Sequence, residues 1–146
     1  MSKTYISAAP RKQVYERATG CCEYCLIPDV ATFAPHEIDH IIAEKHHGET
    51  ESENLALACT LCNKYKGSDL ASVDPETAKI EPLYHPRQNL WHEHFRLSEA
   101  EFVPLTPIGR VTIRLLQLNR LDCCRRRQAV RVEERQLLLQ VGIINP

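Results

Sequence analysis

The chain has 146 residues, 43% of them hydrophobic and 25% charged, and its formal net charge is −1. That length and apolar content suit one ordinary domain with a real interior, and no stretch approaches the roughly 18 apolar residues of a membrane span. The opening MSKTYISAAPRKQ lacks an apolar run of signal-peptide length, so a cytoplasmic globule is expected. A near-neutral total argues neither for nor against a nucleic-acid partner. Of the segments 1–67, 68–119 and 120–146 only the last is net positive, with six basic side chains against three acidic ones, which suits a phosphate-facing surface or the solvated face of a helix.

In chain order, Pro10 in a first turn, Val14 and Ala18 four apart, and a stop at Gly20 predict a helix over about residues 9–19. It leads into CCEYC. The apolar run around EIDHII predicts a strand over 35–42, the polar AEKHHGETESE a long surface loop, and LALA at 55–58 a returning strand. A helix follows from Cys59 through TLCNKYKG, with Gly67 weakening its end. SVDPETAKIEP is turn-rich and suggests an internal boundary, giving segments 1–72 and 73–146. Beyond it, WHEHFRL and EFVPL read as a hairpin with Trp91, Phe95 and Leu97 on one side. Thr106 as N-cap, Pro107 at the first helical position, and Ile108, Val111, Leu115 and Leu118 at helical spacing give the clearest helix. A last helix is expected over about 122–140. The class is α+β.

Seven cysteines in a reducing compartment are buried thiols or metal ligands rather than disulfides. Cys22 and Cys25 form one CxxC and Cys59 and Cys62 a second, supplying the four soft ligands of a tetrahedral structural zinc site. The 33 residues between the pairs exceed the roughly 15 to 20 of a simple zinc ribbon, so a substantial insertion lies between two knuckles. Cys21 stands one place out of register, and Cys123 and Cys124 read as packed thiols.

Asp39 and His40 stand side by side inside an apolar strand, where an unpartnered carboxylate would cost several kcal/mol. EIDHII, then NLALACTLCNKYKG with its paired CxxC motifs, resembles the HNH endonucleases, in particular the zinc-clamped bacterial type with asparagine in place of the third signature histidine. The matching residues are Asp39, His40, Asn54, the four cysteines, Asn63, Lys66 and Gly67. PLYHPRQNLWHEHFRL and LTPIGRVTIRLLQLN are similar to the downstream region of a bacterial subgroup. One departure is His47-Gly48 where the family often has two glycines.

The resemblance implies a ββα-metal core clamped by the four-cysteine zinc site, with a C-terminal extension of a hairpin and two helices. It implies a metal-dependent endonuclease acting on DNA, double-stranded rather than single-stranded, with RNA left open, and products with a 5′ phosphate and a 3′ hydroxyl. A neutral imidazole suits a general base, which makes His40 the candidate. Base catalysis supplies only about 10²- to 10⁴-fold, so an ion is also needed. Asp39 and the Asn63 carbonyl are hard donors suited to Mg²⁺ or Mn²⁺. Asn54 is expected to brace the loop and align His40. Lys66 is read as a DNA-backbone contact against simple solvent exposure, and His46 as a phosphate-facing or supporting group. Neighbours in a regular strand face opposite ways, so β structure is expected to end, twist or bulge at His40. The rival reading is a non-catalytic zinc-ribbon module that binds nucleic acid or protein. His36, His92 and His94 read as structural.

Overall fold

The computed structural model describes residues 4–32 and 34–122. Helix α1 (Ala8–Arg17) runs close to its expected span and ends where Thr19 and Gly20 turn left-handed, at φ 54° and 71°. Its apolar face is narrow. Val14 and Ala18 bury against Ile6, Leu55 and Leu57, and Arg17 secures the packing by donating to Ser52 Oγ and to the Leu55 carbonyl, both at 2.8 Å.

Strand β1 (Glu37–His40) and strand β2 (Leu55–Ala58) form an antiparallel pair with Asp39 opposite Ala56 and His40 opposite Leu55. β1 is shorter than the expected 35–42 but stops at His40. The pairing keeps regular register up to that residue, so of the expected end, twist or bulge the structure shows a plain strand end. The intervening loop is built from two 3₁₀ turns, Glu44–His46 and Ser52–Asn54. Asn54 holds it shut: its Oδ1 accepts from the Ile42 amide at 2.9 Å, and its Nδ2 donates to the carbonyls of Ile42 and Glu49 at 2.9 and 2.8 Å.

Helix α2 (Thr60–Lys66) starts directly after β2, with the Cys59 sulfur as N-cap acceptor for the Cys62 amide, and closes at Gly67 with φ 51°. The turn-rich stretch that followed in the sequence is a second hairpin, β3 (Ala71–Val73) with β4 (Ile80–Pro82). The boundary expected between residues 72 and 73 therefore falls inside β3. Asp74 begins the turn, fully buried, and is gripped by Arg110 through Nε at 2.9 Å and Nη2 at 2.7 Å.

The expected third hairpin forms only in part. Residues Trp91–His94 make one helical turn, α3, and the pairing begins with β5 (Phe95–Ser98) and β6 (Glu101–Pro104). The reason is which side chains bury: Trp91 and His94, three apart, turn inward while His92 and Glu93 stay exposed, a helical rather than alternating pattern. Helix α4 (Pro107–Leu116) begins as expected, with Thr106 Oγ1 accepting from the Gly109 amide at 3.1 Å. A Cβ at Gly109 would lie 2.3 Å from the His94 carbonyl, so this glycine sets the close crossing of α4 over α3.

One apolar cluster joins the cysteine knuckles and Ile41 to Leu83, Tyr84, Trp91, Phe95, Phe102, Val111 and Leu116. Residues from both sides of the expected boundary thus share a core. No helix among the described residues is long and apolar enough to cross a membrane. The helix expected over 122–140, with Cys123, Cys124 and most of the basic stretch, lies outside the described residues.

Candidate functional site

The four cysteines of the two CxxC pairs are buried, and their sulfurs all lie within 4.8 Å of one another. The first knuckle is formed by a return of the chain, Cys22 N–H to the Ile27 carbonyl at 2.9 Å, with Leu26 left-handed at φ 69°. The second is the start of α2. Cys25 and Cys59 sulfurs are 3.7 Å apart, close to the roughly 3.8 Å edge of a tetrahedron with 2.3 Å metal–sulfur bonds. Thiols of Cys22, Cys25 and Cys62 crowd around Cys59 and hold its pKa far below the ordinary value, while Cys22, Cys59 and burial push Cys62 up against the opposing influence of Cys25. Cys21 is not part of this cluster; its thiol meets the Thr19 carbonyl at 3.6 Å.

Asp39 leaves β1 toward the first knuckle and α2. Tyr24, from between the two cysteines of CEYC, donates its hydroxyl to Asp39 Oδ2 at 2.8 Å, and Lys66 Nζ lies 3.1 Å from the same oxygen. Burial pushes the Asp39 carboxyl above its ordinary 3.8, with Lys66 the largest opposing influence. The Lys66 ammonium also donates to the Ile41 carbonyl at 2.9 Å and the His40 carbonyl at 3.3 Å. At 2% exposed, Lys66 is neither a DNA-backbone contact nor solvent-facing, and its expected role is corrected to a tie between α2 and β1. Sequence reading missed Tyr24 altogether. Its position inside a knuckle was the available signal, because a phenol there must find a partner when buried.

His40, on the opposite face, turns into the loop. Its Nε2 is 2.8 Å from Thr50 Oγ1 and 4.0 Å from Glu44 Oε1, while its buried Nδ1 has no hydrogen-bond partner among the described residues. Asp39 and His40 therefore serve two different sets of neighbours. Asn63, on the first turns of α2, donates Nδ2 to Glu37 Oε2 at 2.7 Å. That bond fixes which end of the amide is which and leaves the carbonyl oxygen to face elsewhere. His46 is exposed, with Nε2 3.1 Å from the Ser68 carbonyl.

The departure at His47-Gly48 has a definite geometry. His47 is left-handed, at φ 66°, where a glycine would be free of strain. Gly48 is more demanding, since a Cβ there would fall 1.7 Å from the Ile42 carbonyl oxygen.

A cavity of about 450 Å³ collects these elements. Asp39, His40, Asn63 and Glu37 line it, together with Thr60 and Gly67 of α2 and with Thr4, Ile6 and Arg11 from the amino-terminal segment. Lys66 and His46 are not on its wall. Two carboxylates and an oriented amide carbonyl in one cavity are the donor chemistry that a hard divalent cation takes. Asp39 Oδ1 has only a 3.5 Å contact to Lys66, so the residues present fit such an ion.

The HNH endonuclease family model matches residues 22–69. Over 72 residues, or 49% of this chain, the sequence is 35% identical to the CRISPR-associated endonuclease Cas9 of Corynebacterium diphtheriae (strain ATCC 700971 / NCTC 13129 / Biotype gravis), and the chain spans 6% of that relative's length. No solved structure matches the chain significantly. The matched segment begins at the first ligand-spaced cysteine and ends just past Gly67, so it encloses both knuckles, β1, β2 and α2. Over residues 22–69 the chain is similar to the HNH endonuclease family, and that segment belongs to a small α+β fold with a four-cysteine cluster.

Proposed function

We propose that the protein is a metal-dependent endonuclease that hydrolyses phosphodiester bonds of DNA. The single observation that carries this reading is the shared cavity of Asp39, His40 and Asn63, whose wall includes Thr60, the residue after Cys59 of the four-cysteine cluster. Zinc in that cluster fixes the first turn of α2, and with it Asn63. The geometry around the sulfurs and the two CxxC pairs support zinc over harder ions, and thiolate ligands suit the reducing cytoplasm.

Asp39 and Asn63 would hold Mg²⁺ or Mn²⁺, which when bound supplies charge stabilisation at the scissile phosphate and at the departing 3′ oxygen. Glu37 keeps the Asn63 carbonyl turned outward by occupying its amide. Tyr24 keeps Asp39 in place from behind. His40 is the general base: a water taking the place of the Thr50 hydroxyl on Nε2 would be positioned to lose its proton to that nitrogen. Asn54 fixes the loop that carries Thr50 by its three backbone bonds. The similarity to endonucleases supports a nucleic-acid substrate; duplex DNA is the proposed class, with RNA as the alternative. In this reading the two knuckles, β1, β2 and α2 form the nuclease core, and α3, β5, β6 and α4 an extension that shares its apolar cluster.

A second reading is favoured by one observation. His40 is 4% exposed with both ring nitrogens shielded, and Asp39 is held by Tyr24 and Lys66, as in a zinc module that binds nucleic acid or protein without cutting it. Plasmid nicking with Mg²⁺ separates the two. Wild type converts supercoiled to open-circular DNA, and His40→Ala slows this by 10²- to 10⁴-fold while keeping its zinc; equal rates, or none in either, would leave only the binding module.

A further inference from the structure

The family match starts at residue 22, yet one wall of the cavity is built by residues 4–11. Three contacts fix that wall. Ile6 is 5% exposed and packs into the α1–β2 cluster. Thr4 donates its hydroxyl to Glu44. Arg11, in the second turn of α1, donates Nε to the Ile6 carbonyl at 2.8 Å, which holds the plane of its guanidinium against the segment it helps to pin.

Arg11 is the only lysine or arginine lining the cavity among the described residues. Its two terminal nitrogens make no hydrogen bond or ion pair among the described residues. The acids on the same wall are not paired with it: Glu37 accepts from Asn63, and Asp39 is held by Tyr24 and Lys66. Its neighbour Lys12 behaves differently, pairing with Glu16 one turn along at 3.7 Å. A guanidinium anchored through Nε and unpaired at both Nη atoms presents the flat double donor that matches two oxygens of a phosphate.

We propose that Arg11 is a phosphate-binding residue of this site, gripping a backbone phosphate of the nucleic-acid strand that enters the cavity. The inference rests on the nuclease reading above for the identity of the ligand. It makes α1, outside the matched domain, part of the substrate-binding surface.

The test uses the full zinc-loaded chain with Ca²⁺ in place of Mg²⁺ to suppress cleavage, and follows binding of a short labelled DNA duplex by anisotropy from 50 to 300 mM salt. Arg11→Gln should weaken binding about 10-fold at low salt and reduce the slope of log K against log salt by about 1. Arg11→Lys should keep the slope and lose only part of the affinity, and Lys12→Ala should match wild type. A merely structural role for Arg11 would leave the slope unchanged, so a wild-type slope in Arg11→Gln, whatever its affinity, overturns the proposal without touching the nuclease reading. Reduced slope in Arg11→Gln with no cleavage by wild type in Mg²⁺ supports the phosphate grip and overturns catalysis. No binding by wild type overturns both.

Discussion

The Lys66 ammonium lies 3.1 Å from Asp39 Oδ2 with both side chains almost fully withdrawn from solvent, at 2% and 5% exposed. The pair joins the last turn of α2 to β1 beside the residue expected to hold an ion. A buried charge stripped of its partner is costly, about 3–5 kcal/mol. Lys66→Met should therefore destabilise the zinc-loaded protein by about 3 kcal/mol in urea unfolding, and adding Asp39→Asn should recover part of that. Because Lys66 competes for the same carboxylate, Lys66→Met should also bind Mn²⁺ more tightly than wild type in a calorimetric titration.

Cysteine substitutions should divide sharply by position. Cys25→Ser or Cys62→Ser removes one of four sulfurs in the cluster, and structural zinc is worth about 10 kcal/mol or more of apparent binding free energy at neutral pH. Both variants should lose stoichiometric zinc by elemental analysis and lose the cooperative thermal transition. Cys21→Ser, whose thiol faces Thr19 instead, should keep one zinc per chain and unfold within about 1 kcal/mol of wild type.

Gly48 should tolerate no side chain. Its missing Cβ is the space occupied by the Ile42 carbonyl at 1.7 Å and the Asn54 amide at 2.9 Å. Gly48→Ala must push the loop off Asn54 and should cost about 3 kcal/mol. The same displacement moves Thr50 and Glu44 relative to His40, so cleavage should fall more steeply than stability; the comparison is urea unfolding against plasmid nicking on one preparation.

Acid should destabilise the fold in two steps. Burial lowers the pKa of His94, and burial together with Arg87 lowers that of His85; His85 Nδ1 also accepts the Arg87 and Gln88 amides. The unfolded chain then takes up protons near 6.5 before the folded chain does, so stability is complete above that pH and declines as pH falls toward the folded values. Asp74 acts lower down. Arg110 holds its carboxyl well below the ordinary 3.8, so its contribution is present above about pH 4 and is lost as pH falls further. Melting temperatures should be flat from pH 7 to 8 and fall between 6.5 and 5. His85→Asn should flatten that decline.

The local elements around the cysteines were legible because their signals are short-range. The pair of knuckles, LALA, the start of α2 and the cap Thr106-Pro107 each follow from a few adjacent residues. WHEH was misread because Trp91 and Phe95 fit both periods, and only the inward turn of His94 selects the helix. Lys66 was misread for a different reason. A lysine one place before a surface glycine ordinarily faces solvent, and its burial depends on a carboxylate 27 positions earlier in the chain. Nothing local could announce Glu37 as the partner of Asn63, or the approach of Arg11 to the cavity, since both depend on how α1, β1 and α2 meet.

The most direct measurement is a crystal of the zinc-loaded protein soaked in Mn²⁺, with anomalous scattering recorded at the zinc and manganese edges. The expected result is a zinc peak among Cys22, Cys25, Cys59 and Cys62 and a separate manganese peak beside Asp39 and Asn63. A zinc peak alone, with Asp39 still bound to Lys66 and Tyr24 and no manganese beside Asn63, would contradict it.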